Sequence, residues 1–361
     1  MTQPRRLIAV VVILGQALGL ASSSHACTGI RLKPKDGSVI YARTMEFAAD
    51  LHAAILVVPR GKDYVGSAPG GRKGLRWTTK YGMAGANAFG LPLVIDGLNE
   101  EGLAVGIFYF PGYAKYQAVA DNEADKALAP HELATYLLGT CASVDEAVEA
   151  ARGVKVGDVV VEQFGFVPPV HYVVHDAAGR CAVIEHVDGR TTVHDNPLGV
   201  VTNAPTFDWH ITNLRNYINL TVTDVPAVTL EGRELAAFGM GAGMHGLPGD
   251  FTPPSRFVRA AAFAQAAPAA GSAREGVLQA FHLLNQFDIP RGSIRGVEGG
   301  KVVEDFTQWT AASDLKNGRY YIHTYQNRRI RMVELRGLDL DAKDVKTIPI
   351  GGEEVIEDLT K

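Results

Sequence analysis

The sequence predicts an α+β protein of layered antiparallel sheets and helices, and three observations carry that prediction. Strand-like and helix-like segments come in blocks, not in the alternating βαβ order that builds a parallel sheet. Short apolar runs are separated by turn signals such as Asp36-Gly37, Asp188-Gly189 and Asn317-Gly318, the connections of hairpins and meanders. No internal repeat and no linker rich in Pro, Gly or Ser divides the chain, so residues 27–361 read as one domain.

The first element is a hairpin, Thr28–Leu32 and Ser38–Ala42 around Lys33-Pro-Lys-Asp-Gly37. With the loop centred near Lys35, cross-strand partners have numbers summing to about 70, within a slip of one or two, which sets Arg43 opposite Cys27. Strands are predicted at Ala54–Pro59, Leu93–Asn99 and Leu103–Phe110. Pro130–Leu138 reads as a helix, and the capping box Ser143-Val-Asp-Glu146 opens another over Val144–Arg152. His171–Asp176, Cys181–Val187 and Thr191–His194 form a meander. Helices follow at Phe207–Leu220, Ser255–Ala267 and Ser272–Gln286, the last opened by the capping box Ser272-Ala-Arg-Glu275. Tyr320–Tyr325 and Arg329–Leu335 are the final strands, and the Gly/Pro-rich stretch Gly239–Pro254 reads as a loop bordering a site.

Hydrophobic content of 47% and charged content of 20% describe a chain with a substantial core. A net charge of −4, with no Lys/Arg run longer than Arg328-Arg329, argues against a nucleic-acid partner.

Met1–Ala26 has the layout of a secretory signal peptide: basic Arg5 and Arg6, the apolar run Leu7–Ala21, then the small-residue exit Ser22-Ser-Ser-His-Ala26. The run is shorter than the roughly 20 apolar residues of a membrane span. Cleavage after Ala26 implies a periplasmic or secreted protein with no membrane attachment. It also makes Cys27 the first residue, with a thiol and a free α-amine on one residue. Such an amine can serve as general base for its own side chain, and the two groups titrate near working pH, at roughly 7.7–8.0 and 8.5. The rival reading of Cys27 is the lipid anchor of a non-catalytic binding lipoprotein. Ala26 fits that pattern; Ser24 and His25 do not. Cys141 and Cys181 are left either to pair or to stay free.

Other motifs point away from cofactors and metals. Gly241-Ala-Gly-Met-His-Gly246 matches G-x-G-x-x-G, but no strand precedes it and Leu247–Pro254 is expected not to open a helix. There is no H-E-x-x-H, and His171 and His175 share a strand face without a third ligand. No G-x-S-x-G elbow offers a serine nucleophile, and no histidine stands in a papain-like context.

Five segments complete the pattern: Cys27-Thr-Gly-Ile30, Ala42-Arg-Thr-Met-Glu-Phe47, Asp96-Gly-Leu-Asn-Glu-Glu-Gly-Leu103, Val201-Thr-Asn-Ala-Pro-Thr-Phe-Asp-Trp-His210 and Gly246–Phe257. Together they resemble the choloylglycine hydrolase family of N-terminal-nucleophile hydrolases, which includes conjugated bile salt hydrolases and penicillin V acylases. The resemblance implies a four-layer αββα sandwich, commonly tetrameric, that hydrolyses linear amides without a cofactor. It makes Cys27 the nucleophile, Arg43 and Arg256 the site arginines, and Asn203 the side-chain oxyanion donor. Glu46 stands where the family usually has Asp beside the Cys27 amine. Tyr109, at the backbone oxyanion position, is the residue typical of penicillin acylases, where bile salt hydrolases have Asn. The expected substrate is therefore an aromatic or aliphatic acyl amide such as penicillin V, with conjugated bile salts and N-acyl homoserine lactones as alternatives. Phe108, Phe110 and Phe207 are expected to line the acyl pocket.

Overall fold

Two antiparallel sheets packed face to face, each covered by helices on its outer side, form the computed structural model, which describes residues 26–163, 165–298 and 300–360. Of the predicted signal peptide, only Ala26 falls among them. The first half contributes β1 (Cys27–Leu32), β2 (Ile40–Glu46), β3 (Ala54–Val58), β4 (Met83–Ala86), β5 (Asp96–Asn99) and β6 (Ala104–Tyr109). Helices α1 (Leu133–Thr140) and α2 (Val144–Gly153) precede the meander β7 (Val170–His175), β8 (Cys181–Val187) and β9 (Arg190–Asp195). Next come α3 (Phe207–Asn213), α4 (Pro253–Ala266) and α5 (Ala273–Leu284). The chain closes with β10 (Thr307–Asp314), β11 (Arg319–Thr324), β12 (Arg331–Glu334) and β13 (Lys346–Pro349).

One sheet has the order β1-β2-β10-β11-β12 and the other β9-β8-β7-β6-β5-β4-β3-β13. Helices α4 and α5 pack on the first, α1 and α2 on the second, which makes the αββα sandwich. The period of two along each strand sorts the core. On β6 and β7, Phe108 and Val173 face the other sheet, while Val105, Ile107 and Tyr172 face the α1–α2 side. Both predicted capping boxes form: Ser143 and Ser272 accept from the N–H of Glu146 and Glu275, and each glutamate reaches back to the chain before the cap.

Three expectations are corrected. The β1–β2 register sums to 72, at the edge of the expected slip, because the turn centres on Asp36, whose carboxylate accepts from the Ser38 N–H and hydroxyl, and the expected Cys27–Arg43 pairing does not form. Cys27 therefore faces Met45, and Arg43 faces Gly29. The Pro253-Pro254 pair does open a helix: proline lacks only an N–H that the first turn leaves unpaired, and its φ is already helical. The helix at Phe207 ends at Asn213 and passes into a 3₁₀ turn over Leu214–Tyr217. Strand β10, central in its sheet, lay outside the prediction. Its sequence, TQWTAASD, is buried throughout and mixes small, polar and aromatic residues, so neither alternation nor an apolar run marks it. Cys141 and Cys181 are buried and free.

Candidate active site

Cys27 is 2% exposed and begins the edge strand β1, where four segments distant in sequence converge on it. Its backbone N–H donates to Asn203 Oδ1 at 2.8 Å. Asn203 Nδ2 donates to the Tyr109 carbonyl at the end of β6, at 2.8 Å. Arg256, wholly buried in the first turns of α4, donates from Nη2 to Asn203 Oδ1 (2.6 Å) and from Nη1 to Thr28 Oγ1 (2.9 Å) and the Cys27 carbonyl. Its Nε donates to the Phe251 carbonyl at 2.8 Å, so the loop predicted to border a site anchors the guanidinium. The start of α4 at Pro253 is what brings Arg256 onto β1.

Arg43 is also wholly buried, but in different surroundings. Its position on β2 points it between the sheets, where Nη1 donates to the Ile107 carbonyl (2.5 Å) and Nε to the Thr44 carbonyl (3.1 Å). The guanidinium lies 4.0 Å from the centre of the Phe108 ring, a cation–π contact. Asp96 Oδ1 stands 3.8 Å from Nη1 and accepts from the Tyr41 hydroxyl, while Oδ2 accepts from Tyr320.

Burial pushes the Cys27 thiol above its ordinary pKa, opposed by Arg43 and Arg256 and by the Glu46 backbone N–H, which bonds the sulfur. With Ala26 still attached, the Cys27 nitrogen is an amide and cannot accept the thiol proton. Glu46 does not touch that nitrogen. Its carboxylate accepts from Thr307 Oγ1 (2.6 Å) and Thr44 Oγ1 (3.1 Å), and burial raises its pKa to about 8. The bulge between Thr307 and Trp309 breaks the β2–β10 register opposite this residue, with Thr307 paired to Glu46. Met45, Asp96, Asp305 and Thr307 belong to this neighbourhood and were missed in the sequence. Thr307 and Asp305 lie in and just before the unrecognised strand, whereas Met45 and Asp96 stand inside two of the matching segments but were given no role of their own.

A pocket of about 90 Å³ is lined by Cys27 and Glu46. Its walls include Met45, Phe47, Phe89, Ile95, Ile107 and Tyr109, with His131 an imidazole that burial keeps neutral, its pKa lowered to about 4. The phenylalanines expected there lie elsewhere. Phe108 points to the opposite face of β6 from Ile107, beneath Arg43, and Phe110 stacks on His171 at 4.4 Å. Phe207 packs against Phe257. Tyr109 does face the pocket, its ring edge-on to Phe47 at 6.3 Å. Among the described residues no group of three or more His, Cys, Asp or Glu is placed to hold a metal ion, and no helix is long and apolar enough to cross a membrane.

Two packed antiparallel sheets between helical layers, with a cysteine at the head of the first strand, define the fold of the N-terminal-nucleophile hydrolases. A family model described as linear amide C–N hydrolases, choloylglycine hydrolase family, matches residues 27–348. The chain is 34% identical over 323 residues to a bile salt hydrolase/transferase of Clostridium perfringens, covering 89% of this chain and 96% of that one. A penicillin V acylase of Pectobacterium atrosepticum is 32% identical over 211 residues, 56% of this chain and 54% of the relative. A crystal structure of a conjugated bile acid hydrolase variant from Clostridium perfringens superposes with a TM-score of 0.82 at 32% identity, covering 92% of this chain and all of that one. A penicillin V acylase structure from Agrobacterium tumefaciens gives 0.73 at 25% identity, covering 90% and 92%. The chain belongs to the choloylglycine hydrolase family and is a hydrolase of linear amide C–N bonds.

Proposed function

We propose that this chain is exported, is cut after Ala26, and hydrolyses apolar acyl amides through a thioester on Cys27. The observation that carries the reading is the convergence of Asn203, Arg256 and the pocket on Cys27. The signal-peptide layout of Met1–Ala26 and a family match that begins at Cys27 support the cut. In the reaction, the freed α-amine takes the thiol proton as Sγ attacks the acyl carbonyl. Asn203 Nδ2, with one of its two hydrogens on the Tyr109 carbonyl, turns the other to the developing oxyanion together with the Tyr109 N–H. The ammonium returns its proton to the leaving amine, and water then hydrolyses the thioester. Arg256 holds the Asn203 amide and the Cys27 carbonyl in register, and with Arg43 favours the thiolate.

Phe47, Phe89 and Tyr109 give the pocket three aromatic walls in edge-to-face contact, which suits a ring-bearing acyl group such as that of penicillin V. Conjugated bile salts are the second reading. It is favoured by similarity to bile salt hydrolases over nearly their whole length. Cys27→Ala is expected to abolish amide hydrolysis, and intact-mass spectrometry of the exported protein should find Cys27 first and unmodified. Full activity in Cys27→Ala overturns the nucleophile; a lipid thioether on Cys27 restores the lipoprotein reading. Initial rates with penicillin V and a glycine-conjugated bile acid on one preparation decide between the two substrates, a tenfold preference corresponding to about 1.4 kcal/mol.

A homotetramer is proposed as well. The stretch 218–240 leaves Ile218 (87%) and Met240 (98%) exposed, with Phe238 fully so, and its hairpin Val228–Leu230/Arg233–Leu235 stands off the core. Analytical ultracentrifugation should give four times the protomer mass, and Phe238→Asp with Met240→Asp should lower it.

A further inference from the structure

The chain leading into β10 wraps over the end of β2 and places a second carboxylate beside the head of β1. Asp305, the last residue of the strand Lys301–Asp305, is 5% exposed, and its Oδ2 accepts the backbone N–H of Ala26 at 3.0 Å. Ala26 is the residue that the proposed cut removes. The Ala26 and Cys27 nitrogens are consecutive on the chain and lie within about 3.6 Å of one another. When Ala26 leaves, Asp305 loses this donor just as a new amine appears one residue away. Glu46, by contrast, has both carboxylate oxygens occupied by the hydroxyls of Thr307 and Thr44.

We propose that Asp305 is the carboxylate that positions the α-amine of Cys27 in the mature enzyme, the amine lying between Asn203 Oδ1 and Asp305 Oδ2. The inference rests on the reading of Cys27 as an N-terminal nucleophile. It divides two acids by role. Asp305 holds the amine as a positioning residue. Glu46 shares its hydrogen bonds with β2 and β10 and braces the strand ends. Burial raises the pKa of Glu46, with the nearby Asp305 adding to the rise, which agrees with a Glu46 carboxyl that holds its proton and braces the strands.

The charged and titratable groups facing the amine are Asp305, Glu46, Arg256, the Cys27 thiol and, beyond the sulfur, Arg43. An ionised Asp305 favours the ammonium that forms when the amine takes the thiol proton, so removing its charge lowers the amine's pKa. The test compares wild type, Asp305→Asn, Asp305→Glu and Cys27→Ala as full chains, each shown by intact mass to begin at residue 27. A variant that resists export processing is made instead as a chain starting Met-Cys27, whose initiator Met is removed in the cell. Asp305→Asn is expected to lower kcat at least tenfold with KM within twofold, and to move the acid limb of the kcat–pH profile to lower pH. Asp305→Glu is expected to recover part of the loss. An Asp305→Asn enzyme with kcat within twofold of wild type, or with a reduced kcat and an unmoved acid limb, overturns the proposal. Cys27→Ala separates the two levels: its full activity removes the nucleophile reading, whereas an inactive Cys27→Ala beside an unaffected Asp305→Asn removes only this inference.

Discussion

On one side of Cys27, Asn203, Arg256 and Thr28 form a wall tied together by hydrogen bonds; on the other, Met45, Phe47, Ile107 and Tyr109 form an apolar wall held by packing. The polar wall joins the head of β1 to residues more than 150 positions further along the chain, and each group has a direction to keep. Asn203 Oδ1 alone accepts from both the Cys27 N–H and Arg256. The apolar wall keeps no directions, only shape. Chemistry common to a family is therefore concentrated in the first wall and substrate choice in the second, and substitutions in the two should differ in kind as well as in size.

The largest effect is expected at Asn203. Asn203→Ala removes the acceptor of the Cys27 N–H, the partner of Arg256 and the proposed oxyanion donor together. One such donor is typically worth about 2.7–4 kcal/mol, so kcat should fall by roughly 10²–10³, with KM changed far less. Steady-state kinetics on a chromogenic acyl amide measures it. A loss confined to KM would place Asn203 in substrate binding and dissolve the contrast between the walls.

How much of each wall was legible in the sequence follows from the same contrast. Cys27, Arg43, Asn203 and Arg256 are recognisable because chemistry tolerates few side chains there, and the resemblance carried them onto positions that the fold brings together around β1 and β2. The capping boxes at Ser143 and Ser272 were legible for a similar reason: a cap is a local bond between near neighbours. The pocket was not. Phe108 and Phe110 are as apolar as a lining residue should be, and only the strand's alternation, with Ile107 and Tyr109 facing outward, decides which side they serve. The hairpin register was legible only to within a slip of two, too coarse to give the partner of Cys27, because its loop is longer than the short turns that fix pairing from sequence. Strand β10 is buried by sheet and helix together, so the pattern of a half-exposed strand never forms, and Thr307 and Asp305 went unseen with it.

Glu46 lies where the two walls meet, and its effect falls on stability and depends on pH, with a smaller consequence for turnover. In a chain that keeps Ala26, burial raises its pKa from 4.5 to about 8, against hydrogen bonds from Thr307 and Thr44 and the charge of Arg256. A carboxyl whose folded pKa is raised contributes stability that is fully present below its unfolded pKa and is lost as pH rises through the folded value. Between about pH 4.5 and 8 the loss should approach 1.36 kcal/mol per pH unit. Thermal melts of a chain beginning at Ala26, taken from pH 5 to 8.5, should show Tm falling, and Glu46→Gln should flatten that slope. Parallel curves for the two proteins would mean that Glu46 is ionised in the fold.

The smallest effect belongs to the apolar wall. Phe47 meets Phe89 and Tyr109 edge-on, at 6.4 and 6.3 Å, and lines the pocket beside Cys27. Phe47→Leu keeps an apolar side chain but removes a ring that an aromatic acyl group would pack against. A change of this size in a hydrophobic pocket is worth about 1–3 kcal/mol in discrimination at most. The ratio of kcat/KM for phenoxyacetyl over hexanoyl amides of one amine should therefore fall by up to about tenfold, roughly 1.4 kcal/mol. The rate with the hexanoyl amide should stay within about threefold of wild type, because the hydrogen-bonded wall is intact. Equal losses on both substrates would show that Phe47 supports the reacting groups, and the separation between a wall for chemistry and a wall for choice would then fail at its nearest point to Cys27.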